Sequence, residues 1–169
     1  MTRILGLDPG SIHMGYGVIE ASAGRLRHLD HGTISAPRES VLPLRLATIF
    51  AGLQEVLERH RPEAVAIERV FSARNVASAL TLGHARGAVL LAIGQRQLAL
   101  AEYSPSEVKL AVVGHGRATK QQVARMVGRL LAIGTDTMGQ DASDALAIAI
   151  CHSHGLDRAR LIQRAEGSG

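Results

Sequence analysis

The feature that most constrains the fold of this chain is a change of period. Up to Ser35 the apolar residues run or alternate in strand-length stretches, RILGLD, MGYGVIEA and RLRHLDHGTIS, separated by the turn-like PGS and SAG. From residue 41 the spacing switches to threes and fours. In VLPLRLATIFAGLQEVLERH, Leu46, Ile49, Phe50, Leu53, Val56 and Leu57 share one helical face. After that the two periods alternate. EAVAIE (63 to 68) and LALAEY (98 to 103) read as buried strands, while VASALTLGHARGAVLLAIGQ, SPSEVKLAVVG, KQQVARMVGRLLAI and QDASDALAIAICHSHG read as helices. Three consecutive strands, then a helix, a strand, a helix, a strand and further helices predict an α/β domain, a mixed five-stranded sheet with helices on both faces.

A chain of 169 residues fits one such domain without staples. We expect it to occupy residues 1–155 and residues 156–169 to form a flexible tail. No apolar run of about 20 residues and no signal-peptide core are evident, so a cytoplasmic protein that does not engage a membrane is expected. The single cysteine, Cys151, lies in the apolar stretch ALAIAICHS and reads as a buried, inert thiol. His152 and His154 sit near the expected end of the last helix, where an imidazolium is tolerated, and their spacing argues against a metal pair.

Charge is unevenly spread. The formal net charge is +4, but between residues 69 and 129 nine basic residues, among them Arg69, Arg74, Lys109, Arg117 and Lys120, face only Glu102 and Glu107. Such a stretch either neutralises phosphates or forms a solvated helix face.

Four acids stand out. Asp8 closes the apolar run ILGLD, and Glu68 closes AVAIE. Each could simply open a turn. In QDASDALA, Asp141 and Asp144 at i and i+3 share a helix face and could merely complement the helix dipole. Taken together they fit one chemistry: strand ends that could be neighbours plus one helix face would gather four carboxylates, which repel unless cations neutralise them. Two magnesium ions, with manganese as a substitute, suit such oxygen donors and can clamp a phosphodiester during hydrolysis.

Phe71 lies in RVFSARNVA between Arg69 and Arg74, an aromatic among cations as base stacking requires, or else a loop anchor tucked into the core. Lys120 follows the Gly-containing segment GHGRAT and could meet a phosphate or open a helix. Lys109 could be a solvated helix residue. His115, between two glycines, could contact DNA or move protons, although most loop histidines do neither.

In order and spacing, ILGLDPGSIHMGYGVIE, AVAIERVFSARNVASALTLGHARG, VKLAVVGHGRATKQQV and DASDALAIAICH resemble the RuvC family of Holliday junction resolvases, from about residue 3 to 154. The resemblance implies an RNase H-like fold, a homodimer, a four-way DNA junction as substrate, a branch-migration complex as partner, and metal-dependent nicking of two strands of like polarity. It places the acidic metal ligands on Asp8, Glu68, Asp141 and Asp144. It puts the aromatic of the junction centre on Phe71 and the active-site lysines on Lys109 and Lys120, with Lys120 counted among the catalytic residues. Arg69, Arg74, Asn75 and Arg117 are expected as further DNA contacts. A binding module that does not cut is a rival, weakened by the four intact acids. An actin-like ATPase or sugar kinase would need a second lobe and a phosphate loop for which the chain has no room.

Overall fold

The computed structural model describes residues 1–69, 75–134 and 137–166. Strands β1 (Thr2–Asp8), β2 (His13–Ser22) and β3 (Arg25–Ser35) form an antiparallel meander, with Gly24 at φ +78° in the β2–β3 turn. Helix α1 (Leu42–His60) follows, then β4 (Ala64–Glu68), α2 (Val76–Gln95), β5 (Ala99–Tyr103), α3 (Pro105–Val113), α4 (Lys120–Leu131) and α5 (Gln140–Glu166). β4 lies parallel to β1, and β5 parallel to β4, so the described strands form one mixed sheet in the order β3-β2-β1-β4-β5. The mixed five-stranded sheet read from the sequence is present.

Two cores cover the two faces, and alternation along each strand assigns residues to them. Leu5 and Leu7 of β1 and Val65 and Ile67 of β4 pack with Ile49, Leu53, Val56 and Leu57 of α1 and with Val89, Ala92 and Ile93 of α2. Ile4 of β1 and Ala66 of β4 face the other way, toward Val108 and Val112 of α3, Val123 and Val127 of α4 and a run from Ala142 to Cys151 in α5. Asp8 and Glu68, each an even step further along its strand, share this second face. α5 lies so close to the sheet that side chains are excluded beneath it: a Cβ on Gly6 would come within 2.0 Å of the Ala145 carbonyl oxygen, and one on Gly15 within 2.0 Å of that of Asp141.

Two expectations need correction. α5 does not end near residue 155. It continues to Glu166, with Leu156 packed against the core and Asp157 accepting a hydrogen bond from the Gly24 amide at 3.0 Å. Residues 156–166 are therefore part of the helix. His152 accordingly lies in mid-helix, buried and hydrogen-bonded through Nδ1 to the Tyr103 hydroxyl at 2.8 Å. Burial lowers its pKa and disfavours the imidazolium that a helix end would have welcomed.

By length and composition α2 could cross a membrane, although the sequence suggested no such segment. Its polar interruptions His84 and Arg86 hide the run, and its Ala85, Val89, Ala92 and Ile93 are buried in the α1-side core. Cys151 is buried as expected, and burial pushes its thiol up to about 12.

Candidate active site

The site is built where two parallel strands end side by side. Leu7 pairs with Ile67 across β1 and β4, so the next residues, Asp8 and Glu68, end their strands side by side. In an open sheet this carboxyl edge is where ligands gather. On the other flank Asp8 pairs with Gly15 of β2, and the Asp141 carbonyl sits directly over Gly15. The missing side chain at Gly15 lets the first turn of α5 descend onto the end of β1, bringing Asp141 and Asp144 to Asp8.

Lys120 arrives from a third direction. Thr119 caps α4 by accepting from the Gln122 amide, while the Gln122 side chain accepts from the Thr119 amide, a reciprocal box that fixes where the helix starts. Lys120 is thus the first helical residue, and its Nζ donates to Asp144 Oδ2 at 2.8 Å. A cation at a helix N-terminus opposes the dipole, so helix energetics do not explain it; the carboxylates do. The capping box of Ser104 and Glu107 similarly sets the start of α3, which carries Lys109. Asp8, Glu68, Asp144, Lys109 and Lys120 line one cleft of about 330 Å³.

The electrostatics are those of crowded acids. Asp8 is pushed up to about 7, first by burial and then by Asp144, Glu68 and Asp141, with Lys120 opposing. Burial and Asp144 also raise Glu68, against Lys120 and Lys109. The Lys120 ammonium is raised in turn, chiefly by its bond to Asp144. The carboxylates thus hold a negative potential that Lys120 and Lys109 only partly offset. All the donors are oxygens, which suits a hard divalent cation. Among the described residues no three acids, histidines or cysteines converge as a finished metal cage; Asp8, Glu68 and Asp144 line the cleft, with Lys120 bound to Asp144, while Asp141 is not among the lining residues.

Arg86 of α2 is a contributor the sequence did not single out. Its guanidinium donates to the Glu68 carbonyl at 2.7 Å and pairs with Glu102 at 2.7 Å, fixing the end of β4 from outside the cleft. Only its place in a run of small apolar helix residues marks it in the sequence. Arg69 reaches the Glu102 carbonyl at 3.2 Å. Asn75 is the cap of α2, accepting from the Ser78 amide at 2.8 Å. Arg117 and His115 are exposed in the loop between α3 and α4. Phe71 and Arg74 lie outside the described residues.

Comparison with known proteins decides the family. A family model described as crossover junction endodeoxyribonuclease RuvC matches residues 4–152. The chain belongs to the RuvC family. It is 48% identical over 165 residues to the RuvC crossover junction endodeoxyribonuclease of Alkalilimnicola ehrlichii, covering 98% of this chain and 99% of that one. It is 51% identical over 152 residues to that of Syntrophotalea carbinolica, covering 90% and 94%. Among solved structures, Thermus thermophilus RuvC in complex with a Holliday junction substrate superposes with a TM-score of 0.88 at 36% identity, covering 94% of this chain and 97% of that one. A yeast mitochondrial Holliday junction resolvase shares the fold, with a TM-score of 0.63 at 15% identity. The RNase H-like α/β architecture expected from the RuvC resemblance is the one these neighbours share.

Proposed function

We propose that this RuvC-family chain is a Holliday junction resolvase that cuts four-way DNA junctions by paired symmetric nicks, leaving 5'-phosphate and 3'-hydroxyl ends. The observation that carries the reading is the state of Asp8. Its carboxyl, held up to about 7 by burial and three neighbouring acids, is costly unless cations come to it. Asp8, Glu68, Asp141 and Asp144 are the residues that would hold two Mg²⁺ ions, with Mn²⁺ as a substitute. Bound there, such ions supply an activated water and neutralise charge on the scissile phosphate and the departing 3' oxygen.

The chain's own groups do the rest. Lys120 keeps a fixed positive charge beside Asp144 and can turn to a phosphate oxygen once the acids have their cations. Lys109 adds positive charge at the mouth of the cleft. Phe71 stacks on an unpaired base at the junction centre, while Arg69, Arg74, Asn75 and Arg117 bear on the DNA backbone, contacts that position a strand without reading its sequence.

Symmetric nicks require two sites. The unburied side of α2 supports a homodimer: Val76, Leu80 and Leu91 are 76%, 60% and 57% exposed, a large apolar surface for a soluble face. A branch-migration complex is the further partner.

Asp8→Asn tests the reading. It should lower junction cleavage by at least a thousandfold while junction affinity stays within about threefold of wild type, because an amide removes a metal ligand but no DNA contact. Cleavage retained at the wild-type rate would remove Asp8 from the chemistry. A wild-type protein that binds junctions and never cuts would favour the binding module.

A further inference from the structure

A second cleft, sharing no lining residue with the acidic one, opens at the β1–β2 turn. It encloses about 400 Å³ between that turn, the first turns of α1 and the first turns of α2, and Arg45 of α1 and the hydroxyl-bearing residues Ser11, Ser78 and Thr81 line it, with apolar walls between. None of the residues lining it is acidic. The guanidinium of Arg45 is poorly used: its Nε is buried and has no hydrogen-bond partner among the described residues. Arg3 Nε is buried without a partner in the same way while its other nitrogens are bonded, so what Arg45 can offer the cleft lies beyond its Nε, at the end of the guanidinium. The α2 amide nearest the cleft does not serve here, since Ser78 N is taken by Asn75. What the cleft offers is a guanidinium fork flanked by hydroxyl donors, a set that suits phosphoryl oxygens.

Its place in the fold says which phosphate. Ser11 is three residues beyond Asp8, so their Cα atoms lie within about 11 Å, which keeps the cleft within a few nucleotides of the acids. A strand with its scissile phosphate at the acids and running over the β1–β2 turn would bring a later phosphate to Arg45. We propose that this cleft is a phosphodiester-binding subsite that grips the cut strand a few nucleotides from the scissile bond, with Arg45 as its anchor and Ser11, Ser78 and Thr81 as auxiliary donors. The inference rests on the reading of the protein as a junction nuclease.

The test measures junction affinity of the full chain across a salt series with chelator present, for wild type, Arg45→Gln, Arg45→Lys and the double variant Ser78→Ala/Thr81→Val, each with a thermal melt. The subsite predicts that Arg45→Gln weakens junction binding about five- to tenfold and lowers the slope of log K against log salt by about 0.9, the share of one phosphate contact. Arg45→Lys should recover most of the slope but only part of the affinity, and the double variant should lose about two- to threefold. Because Arg45 leaves a buried donor unmet, Arg45→Gln should melt no lower than wild type. Unchanged affinity and slope in Arg45→Gln would overturn the subsite, as would a weakened affinity with an unchanged slope and a lowered melt, which marks a structural arginine. Inorganic phosphate added alone and followed by amide NMR separates the other source of the same chemistry. Saturation at micromolar phosphate, with junction binding indifferent to Arg45, would assign the cleft to a free anion and overturn the strand contact. Failure of the subsite leaves wild-type junction cleavage intact, whereas failure of the nuclease reading appears in the wild type itself.

Discussion

The carbonyl oxygen of Asp141 lies where the Cβ of any residue but glycine at position 15 would be, 2.0 Å from it. Because Gly15 is also the ladder partner of Asp8, this contact sets the distance between the strand that carries one acid and the helix that carries two. The conflict is with backbone, which cannot turn aside as a side-chain tip can. Gly15→Ala should therefore lift the first turn of α5, costing about 1–3 kcal/mol of stability as an overpacked contact does. Junction cleavage should fall at least tenfold, beyond what the stability loss explains at a temperature where the variant remains folded. Denaturant titration beside a single-turnover cleavage assay checks both, and wild-type values for both would show that α5 is seated otherwise.

The titration of Asp8 makes metal-free stability depend on pH in a defined direction. With the folded carboxyl at about 7 and the unfolded one near 3.8, the native state holds a proton that the unfolded state has released between those values. Stability contributed by this group is therefore lost as pH rises from about 4 to about 7, and the loss is complete above that. Asp8→Asn does not titrate. In chelator it should gain on wild type across the same window, reaching about 4 kcal/mol at most near pH 8, at 1.36 kcal/mol per unit. Millimolar Mg²⁺ should narrow the gap. Denaturant titrations at pH 5 and pH 8 would show this, and a gap that shrinks with rising pH would contradict it.

Lys120 is predicted to matter for rate more than for folding. Its side chain is 64% exposed, so its pair with Asp144 contributes little to stability. Lys120→Met should leave the melting temperature of the metal-loaded protein nearly unchanged. Single-turnover cleavage should slow by about a hundredfold, the scale of losing one preorganised positive group. A rate within threefold of wild type would place Lys120 outside the reaction.

The hydrogen bond between Tyr103 and His152 ties the strand that flanks Glu68 to the middle of α5. Tyr103→Phe should cost about 1 kcal/mol. Burial holds the His152 pKa below the ordinary 6.5, so the unfolded chain takes up a proton first and stability falls as pH drops below 6.5. His152→Gln should flatten that acid limb in a pH series of thermal melts; an unaltered limb would assign the loss to other groups.

The apolar side of α2 gives a prediction about assembly. Glutamates in place of Leu80 and Leu91 would bury charge in an interface formed there, so the wild type should sediment as a dimer and the double variant as a monomer. It should also nick only one strand per encounter. A variant that remains dimeric would move the interface elsewhere.

Much of this was legible because period two and period 3.6 are local. The apolar runs put Asp8 and Glu68 at the ends of strands that could be neighbours, and the i, i+3 spacing put Asp141 and Asp144 on one side of a helix. What brought those elements together was not local. Gly15 reads as an ordinary strand glycine until α5 is seen above it, and Arg86 reads as one more cation in a basic stretch until its bonds to Glu68 and Glu102 are seen. Part of the central positive charge is spent this way inside the fold, on Arg86 with Glu102 and on Arg96 with Gln54, and does not face a ligand. The end of α5 is not legible in the sequence because Gly155 and the polar residues after it resemble a helix stop. The helix continues past them with Leu156 packed on the core and Asp157 bonded to the β2–β3 turn.

The central claim is that the four acids make a metal-dependent cutter of branched DNA. The most direct measurement incubates the purified protein with a synthetic four-way junction and with a linear duplex of the same sequence, in Mg²⁺ and in chelator, and resolves the strands on a denaturing gel. We predict paired nicks at symmetric positions in the junction alone, and only with metal. Tight junction binding with no cut strand in Mg²⁺ or Mn²⁺, or equal cutting of the duplex, would contradict it.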